Sequence, residues 1–400
     1  MRTYIYKLKD DTGKTLHGFT DAYDRKDLKK RLRHSNYFFV AAEPAHREKI
    51  FNQKVDLESL LVFTRRLSSL IDSGIPILGA MHILWRQTED KQMQLVISHL
   101  RNRLEEGKTL SAALEDFPRI FPGIYRAMIE VAEKAGGLTT ILRRLTEHLE
   151  YQRVFVARVR RATWYPIFVI CFALAVFVGM FTFFVPTYQK VLVRLKVELP
   201  FFTQMVLSIS EFLRSPWTIL GIIILVIGGT IGYRSLSRSA RFRYGMDRQK
   251  LKLPVFGDIL RALTLGRFVR SLSILVASGL PIIDSFRVAK TTASNEFVAD
   301  QIDAVQKKVE RGNSLYDSFR EVPLFPVMFV EMVGVGESSG TISQAFAHLA
   351  DHFDEEVDYK QSRFFTYLEP ALILIVGAIV LVTLLAIYMP IFSVWQGLMH

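Results

Sequence analysis

Residues 63–84 read FTRRLSSLIDSGIPILGAMHIL, and residues 268–289 read FVRSLSILVASGLPIIDSFRVA. At a shift of 205 positions, nine residues of this window are identical, and both copies contain a Ser-Gly-x-Pro segment. Chance would produce roughly one or two identities in such a window, so the chain contains an internal repeat. In each copy the segment predicts one helix that ends at Gly74 or Gly279 and a next helix that starts with Pro76 or Pro281.

The repeat continues well beyond this window. After the loss of one residue the shift becomes 204, and it then pairs two Glu-x-x-Gly segments and two sets of prolines. The paired residues are Glu133/Glu337, Gly136/Gly340, Pro166/Pro370 and Pro186/Pro390. Each repeat is therefore expected to end in its own apolar helix, with a proline near each end of that helix.

The tripeptide Gly107-Lys108-Thr109 resembles the end of a phosphate-binding loop. Such a loop also needs a glycine five positions before its second glycine, and this chain has Asn102 there, inside a helical run. The second copy reads Gly312-Asn313-Ser314 and lacks the lysine. Both copies instead show a pattern typical of a helix that ends at a left-handed glycine and of a next helix with a hydroxyl cap. We therefore expect no nucleotide site here.

Three stretches of membrane-spanning length lack Asp, Glu, Lys and Arg, namely 162–189, 215–233 and 370–400. A helix of about 20 residues is long enough to cross the hydrocarbon layer of a bilayer. A buried core helix is the alternative for each stretch, but uninterrupted apolar runs of this length are rare in soluble cores. The sequence therefore predicts three transmembrane helices.

The distribution of cations predicts the orientation of these helices. Lys and Arg are frequent before the first stretch, after the second and before the third, whereas residues 391–400 contain neither. Because cytoplasmic flanks are enriched in Lys and Arg, we expect the N-terminus and the segment after Arg234 in the cytoplasm. The loop 187–214 is expected on the opposite side.

These features predict an all-α polytopic membrane protein with two homologous helical-bundle cytoplasmic domains and a small N-terminal α/β module. The expected boundaries are 1–45 for the α/β module, 56–165 for the first cytoplasmic domain, 166–186 for transmembrane helix 1, 187–214 for the external loop, 215–233 for transmembrane helix 2, 250–365 for the second cytoplasmic domain and 370–390 for transmembrane helix 3.

The N-terminal module is expected to contain strands near 4–8, 15–20 and 37–42, and Asp21 is a candidate cap for the helix between the last two. That helix is rich in cations, among them Lys29, Lys30 and Arg33. A solvated helix face is one interpretation, and a docking face for an acidic protein or for lipid headgroups is the other. Nucleic acid is not expected, because no aromatic residue alternates with these cations.

No catalytic set is visible in the sequence, and we expect neither enzymatic activity nor a cofactor or metal. The single cysteine, Cys171, excludes an internal disulfide and a thiolate metal cluster. His348 and His352 share a helix face, but Leu349 replaces the glutamate of the HExxH zinc motif. Glu369 at the entrance of the third stretch is either a favourable charge at a helix N-terminus or a polar contact with a neighbouring membrane helix.

Several segments together resemble the GspF/PilC family of platform proteins from type II secretion systems and type IV pili. These are the two Ser-Gly-x-Pro turns, the two Glu-x-x-Gly turns, Tyr165-Pro166 and Phe184-Val185-Pro186 around the first span, Glu369-Pro370, and Pro390-Ile391-Phe392. The likeness covers nearly the whole chain, and it does not separate the secretion branch from the pilus branch.

The resemblance implies a protein without catalysis in the bacterial inner membrane, with its external loop in the periplasm. Its implied partners are a cytoplasmic hexameric ATPase, pilin or pseudopilin subunits, other inner-membrane assembly proteins and further copies of itself in a homo-oligomer. Motion from the ATPase would help to lift the subunits out of the bilayer. A small membrane transporter built from two repeats is the alternative, but the spans are few and lack an unwound polar centre.

Overall fold

The computed structural model describes residues 2–11, 13–32, 37–44, 55–180, 182, 208, 211–212, 215–237, 239–254 and 256–398. By its internal contacts the chain divides into two compact units. The repeat unit comprises residues 1–156 and 263–354, and the apolar unit comprises residues 157–262 and 355–400. The expected external loop 187–214 and Pro186 lie outside the described residues, apart from three isolated positions at 208, 211 and 212.

The N-terminal module is a three-stranded antiparallel sheet with one helix. Its elements are β1 (Arg2–Lys9), β2 (Thr15–Ala22), α1 (Arg25–Leu32) and β3 (Phe38–Pro44), and the strand order is β2-β1-β3. The expected cap for α1, Asp21, is not at the helix start. Asp24 occupies that place, and its Oδ1 accepts the backbone N–H of Asp27 at 2.7 Å.

The first repeat forms helices α2 (Leu57–Asp72), α3 (Ile77–Gln87), α4 (Lys91–Glu105), α5 (Leu110–Glu115), α6 (Gly123–Ala135) and α7 (Leu138–Gly179). Acidic side chains cap the N-termini of two of these helices. Asp56 Oδ1 accepts the N–H of Ser59 at 3.1 Å, and Asp90 accepts the N–H of Met93 at 2.5 Å. These bonds satisfy amide groups that have no partner inside the helix.

Two helices separate the repeats, α8 (Pro216–Leu236) and α9 (Ala240–Lys250). The second repeat then forms α10 (Phe256–Ala277), α11 (Ile282–Ala289) with a 3-10 turn at Lys290–Thr292, α12 (Glu296–Glu310), α13 (Leu315–Arg320), α14 (Val327–Ser338) and α15 (Ile342–Leu398). The order of long and short helices is the same in both repeats, as the duplicated sequence predicts.

Aromatic side chains fill the core of the second repeat. Phe319 lies at its centre, with ring centroids 5.7 Å from Phe286, 4.7 Å from Phe325 and 4.8 Å from Phe329. All four rings are buried. A buried aromatic cluster of this kind contributes through the removal of apolar area from water and through edge-to-face contacts between rings.

The N-terminal sheet packs on the first repeat through α3 and α4. The indole Nε1–H of Trp85 donates to the carbonyl of His17 at 2.7 Å, and the amide of His17 donates to Gln94 Oε1 at 2.7 Å. Tyr6 is buried at this contact, and its hydroxyl lies 3.3 Å from that of Ser98. These bonds fix the position of the sheet on the first repeat.

Among the residues that the structure describes, α7 and α15 each contain a continuous apolar window of membrane-spanning length. The apolar segments of both leave their side chains largely uncovered, with Trp164 71% exposed and Leu374 74% exposed. Apolar side chains that are uncovered on all sides are typical of helices in lipid. Pro166 lies inside α7 and Pro370 lies inside α15, so neither proline marks the beginning of its helix.

Candidate functional site

The Ser-Gly-x-Pro turns have the same geometry in both repeats. Gly74 and Gly279 have φ angles of 80° and 86°, in the left-handed region where a Cβ atom is unfavourable. Beyond Gly74, the N–H of Ile75 donates to the carbonyl of Leu70 at 3.1 Å, and the equivalent bond from Leu280 has the same length. This bond pattern closes a helix C-terminus, and Pro76 and Pro281 then stand immediately before α3 and α11.

A second pair of left-handed turns precedes the short helices α5 and α13. Gly107 and Gly312 have φ angles of 80° and 92°. Two residues later, Thr109 Oγ1 accepts the N–H of Ala112 at 3.2 Å, and Ser314 Oγ accepts the N–H of Asp317 at 2.9 Å. The hydroxyl groups therefore act as helix caps.

The glutamates of the Glu-x-x-Gly turns reach back to these same helix starts. The carboxylate of Glu133 accepts the N–H of Leu110 at 2.5 Å and the N–H of Ser111 at 3.0 Å. The carboxylate of Glu337 accepts the N–H of Leu315 at 2.7 Å and that of Tyr316 at 2.9 Å. Each carboxylate thus occupies the amides of a helix N-terminus, where the helix dipole stabilises a negative charge.

This arrangement explains the loop-like tripeptide at 107–109. The first free amides after the tripeptide are those that would bind a phosphate in a phosphate-binding loop. Here these amides donate to the carboxylate of Glu133 instead. The hydroxyl of Ser111 donates to the same carboxylate at 2.5 Å. The pattern therefore serves an internal contact between α5 and α6. Gly136 and Gly340, which follow the two glutamates, both have positive φ angles, 83° and 72°.

The repeats also share an ion pair that the sequence analysis missed. Arg65 in the first repeat lies 2.6 Å from Glu150, and its counterpart Arg270 in the second repeat bonds to Asp354. A signal was present in the sequence, because the shift that aligns Glu133 with Glu337 also aligns Glu150 with Asp354. Each pair joins the first long helix of a repeat to its last helix.

The two repeats contact each other around Arg270. The hydroxyl of Tyr151, in the first repeat, donates to Asp354 Oδ1 at 2.6 Å, and the guanidinium of Arg270 lies 5.7 Å from the centre of the Tyr151 ring. Arg144 donates to the hydroxyl of Ser278 at 3.1 Å. These polar contacts tie α7 to α10 and α15 within the repeat unit.

His148 is buried beside this contact. Burial lowers the pKa of His148 from 6.5 to about 4, and the positive charge of Arg270 adds to the effect. The Nε2 atom of His148 lies 2.9 Å from the amide nitrogen of Gln152, which is a donor, so Nε2 is the acceptor and the ring is neutral.

The residues expected at the membrane entrances lie in unbroken helix. Tyr165 is exposed, Pro166 is half-buried, and Glu369 and Pro370 are both exposed on α15. Pro390 lies in the last part of α15. None of these residues is drawn into a common site within the part of the chain that the structure describes.

Two of the three candidate docking cations are described. Lys29 and Lys30 are both exposed on α1, and the ammonium of Lys29 lies 5.1 Å from the centre of the Phe39 ring. Arg33 lies outside the described residues. Across residues 55–180 and 256–398 and the other described segments, no three His, Cys, Asp or Glu side chains come close enough to hold a metal.

Comparison with known proteins identifies the family. The model of the family "Type II secretion system (T2SS), protein F" matches the chain twice, at residues 63–186 and 268–390, which coincide with the two repeats. The chain is similar to the type IV pilus assembly protein PilC of Thermus thermophilus, with 30% identity and 98% of each chain covered. It is also similar to the type II secretion system protein F of Vibrio cholerae, with 29% identity and 98% of each chain covered.

A further relative is the PilC protein of Pseudomonas aeruginosa, 30% identical over 85% of this chain and 91% of that protein. The resemblance noted in the sequence is thereby confirmed, and so is the internal duplication. The two long apolar helices agree with a membrane protein. The chain belongs to the family of type II secretion system protein F.

Proposed function

We propose that the chain is a multi-pass platform protein in the inner membrane of a type II secretion or type IV pilus machine. It couples a cytoplasmic hexameric ATPase to the extrusion of pilin or pseudopilin subunits, and it has no catalytic activity of its own. The observation that carries the proposal is the duplicated design, in which each helical repeat continues into an apolar helix without an intervening loop, Leu138–Gly179 and Ile342–Leu398.

The arrangement of the repeats supports three spans, and the Lys and Arg residues that flank the apolar stretches support a cytoplasmic N-terminus. Contacts such as that between Arg144 and Ser278 hold both repeats in one compact unit, which supports a placement of both repeats on the same side of the membrane. A chain that leaves this side through α7 has to return before α10. The apolar helix α8, Pro216–Leu236, has 21 residues and is long enough for the return crossing.

The platform role also fits the polar contacts inside each repeat. A protein that passes on displacement needs stiff connections between its helices. Two kinds of contact connect the helices of each repeat at equivalent positions. They are the hydrogen bonds of the Glu133 and Glu337 carboxylates and the ion pairs of Arg65 and Arg270. The α/β module with its exposed Lys29 and Lys30 is the proposed docking surface for the ATPase.

The test is genetic and biochemical. In a strain that lacks the gene, we expect the loss of surface pili or of secreted substrates, and the identity of the lost product separates the two branches. The tagged full-length chain should be recovered in the inner membrane and should co-purify with the ATPase. Normal pili and secretion in the deletion strain, or ATP hydrolysis by the purified chain alone, would contradict the proposal.

A further inference from the structure

Helix α9 follows the apolar helix α8 after a very short connection. At the end of α8, the amide of Ser237 donates to the carbonyl of Tyr233 at 2.8 Å, and the amide of Ser239 then donates to that of Leu236 at 3.0 Å. Ala240, the first residue of α9, comes four residues after Leu236, so their Cα atoms are at most about 15 Å apart. With α8 as the return crossing of the membrane, the first turn of α9 is therefore held close to the bilayer surface.

The other end of α9 is fixed to the start of α10. Leu251 follows the last residue of α9, and a Cβ atom on Gly257 would overlap its carbonyl oxygen. Gly257 is buried, and its lack of a side chain allows this direct contact between the two backbones. The end of α9 therefore has a defined position relative to α10.

The start of α10 lies beside the part of α15 that approaches the membrane. The centres of the Phe256 and Phe364 rings are 5.0 Å apart. The ammonium of Lys360 lies 3.5 Å from the carbonyl oxygen of Asp258. Phe364 comes six residues before Pro370, where the uncharged stretch of α15 begins, and six residues span about 9 Å of helix.

Both ends of α9 are thus close to an apolar segment of membrane-spanning length. Its beginning is next to the end of α8, and its end is next to α15. A helix of 11 residues is only about 16 Å long. The whole of α9 is therefore held near the membrane surface.

Helix α9 and its flanks have a large excess of positive charge. Residues 234–252 contain seven Lys or Arg residues and one acidic residue, Asp247. The carboxylate of Asp247 accepts a hydrogen bond from the ammonium of Lys250 on the same helix at 2.9 Å. None of the residues Ala240–Lys250, all of which the structure describes, is buried. The segment therefore presents a strongly positive surface.

The exposed cations of α9 lie together and have apolar neighbours. Arg241 and Arg248 are both exposed, and their spacing of seven residues places them on one face of the helix. Lys252 is exposed just after the helix, and the exposed side chains of Leu253 and Phe256 come next in the chain. Cations next to exposed apolar side chains at a membrane surface are typical of a segment that binds anionic lipids.

We propose that α9 binds the headgroups of anionic phospholipids in the leaflet beside it. Each Lys or Arg close to such a leaflet strengthens binding by about five-fold, through attraction to the lipid phosphates. The contact holds the start of α10, and with it the first helix of the second repeat, at the membrane surface. This inference rests on the proposed platform function, because it requires α8 to cross the membrane.

Fluorescence of the full-length chain in vesicles tests the contact. With Cys171→Ser as the background, Gly245→Cys places a thiol between Arg241 and Arg248, where the helix has open space, for an environment-sensitive fluorophore. The vesicles consist of phosphatidylcholine alone or of phosphatidylcholine mixed with phosphatidylglycerol, and both contain the same amount of a lipid with a headgroup quencher. We expect stronger quenching with phosphatidylglycerol, and we expect added salt to reduce the difference by screening.

Substitution of the exposed cations should remove the effect of phosphatidylglycerol. Arg241→Gln with Arg248→Gln and Lys252→Gln should weaken the attraction by more than about ten-fold, because three charges are lost. The pair Arg241→Lys and Arg248→Lys keeps the charges and should retain the stronger quenching. Equal melting temperatures of these variants in detergent would show that both fold like the parent.

The matched control removes three exposed cations from the repeat unit. Lys7→Gln with Lys9→Gln and Lys91→Gln should leave the quenching unchanged. The inference would be overturned by equal quenching of the parent in both kinds of vesicle. It would also be overturned if the glutamine variant of α9 kept the effect of phosphatidylglycerol, or if the control lost as much of it.

The same variants separate this inference from the platform function. If the parent shows no effect of phosphatidylglycerol but the glutamine variant of α9 fails to restore pili or secretion in the deletion strain, the lipid contact is wrong. The platform function then stands, and α9 binds an acidic protein. Conversely, an effect of phosphatidylglycerol that depends on the α9 cations would support the lipid contact even if the deletion strain had normal pili and secretion.

Discussion

The carboxylate of Glu133 accepts the backbone N–H of Leu110 at 2.5 Å, across 23 residues of chain. The second repeat reproduces this relationship between Glu337 and Leu315 at 2.7 Å. A contact that survives in both copies of a duplication, while most surrounding residues differ, is a general requirement of the repeat. In both copies it anchors the short helix to the helix that precedes the membrane-entering one.

Replacement of Glu133 by alanine should destabilise the repeat unit by about 1–3 kcal/mol, because the amides of Leu110 and Ser111 lose their charged acceptor. Glu337→Ala should have a similar effect. The measurement is the melting temperature of the solubilised chain, and Glu130→Ala is the control, since the carboxylate of Glu130 forms an ion pair with the exposed Lys134. Equal melting temperatures for the three variants would refute a special role for the turn glutamates.

Lys108→Ala should leave function unchanged, and neither the parent chain nor the variant should bind nucleotide. The amides that would bind a phosphate beside Lys108 are already bonded to Glu133, and the second copy has Asn313 at the same position. The measurements are complementation of the deletion strain and titration of the purified chain with a fluorescent ATP analogue. Saturable binding of the analogue that disappears in Lys108→Ala would show that this interpretation is wrong.

Gly74→Ala and Gly279→Ala should each cost about 1–2 kcal/mol, because a Cβ atom is unfavourable at their positive φ angles. Gly245→Ala is the control, since Gly245 lies within α9, has no positive φ angle and has open space around it. That substitution should be neutral or stabilising by up to about 1 kcal/mol through helix propensity. Thermal unfolding should therefore show a lower melting temperature for Gly74→Ala and Gly279→Ala and an unchanged or higher one for Gly245→Ala.

The stability of the repeat unit should fall in mild acid because of His148. In the folded chain its pKa is about 4, whereas in the unfolded chain it is near 6.5. Between these values the unfolded state takes up a proton that the folded state does not. The stability that the neutral His148 contributes is therefore fully present above pH 6.5 and is lost as the pH falls toward 4. The full loss is about 3 kcal/mol.

His148→Gln should remove this part of the pH dependence, and the measurement is the melting temperature between pH 4 and 7. The exposed His348 provides the matched control, His348→Gln. If the parent and His148→Gln lose stability in parallel over this range, the buried histidine is not responsible.

Charge reversal of the helix α1 cations should weaken the association with the ATPase. Lys29→Glu with Lys30→Glu replaces two exposed positive charges, so we expect at least a several-fold loss of ATPase in co-purification at low salt. The control is Lys7→Glu with Lys9→Glu, which reverses the same number of exposed charges on β1. Unchanged recovery of the ATPase would remove the docking proposal and leave the family assignment intact.

The sequence alone determined the features that depend on local spacing. The left-handed glycine turns and the hydroxyl caps follow from the residues within one or two helical turns, because backbone geometry acts locally. The apolar segments follow from the length of their uncharged runs, and the duplication follows from the comparison of the two halves of the sequence. The start of α1 shows the limit of such local reasoning. Both Asp21 and Asp24 are suitable caps, and β2 extends to Ala22, so only Asp24 remains available.

Only the tertiary structure decided which of these equivalent parts meet. The sequence makes α6 and α14 counterparts, yet Ile124 is covered and Met328 is 44% exposed. Likewise, the sequence shows a helix start after Gly107 but not that Glu133 occupies it. Such contacts join residues far apart in the chain, and local propensities do not encode which distant surface covers a helix face. The asymmetric packing of two similar repeats therefore had to be read from their arrangement in space.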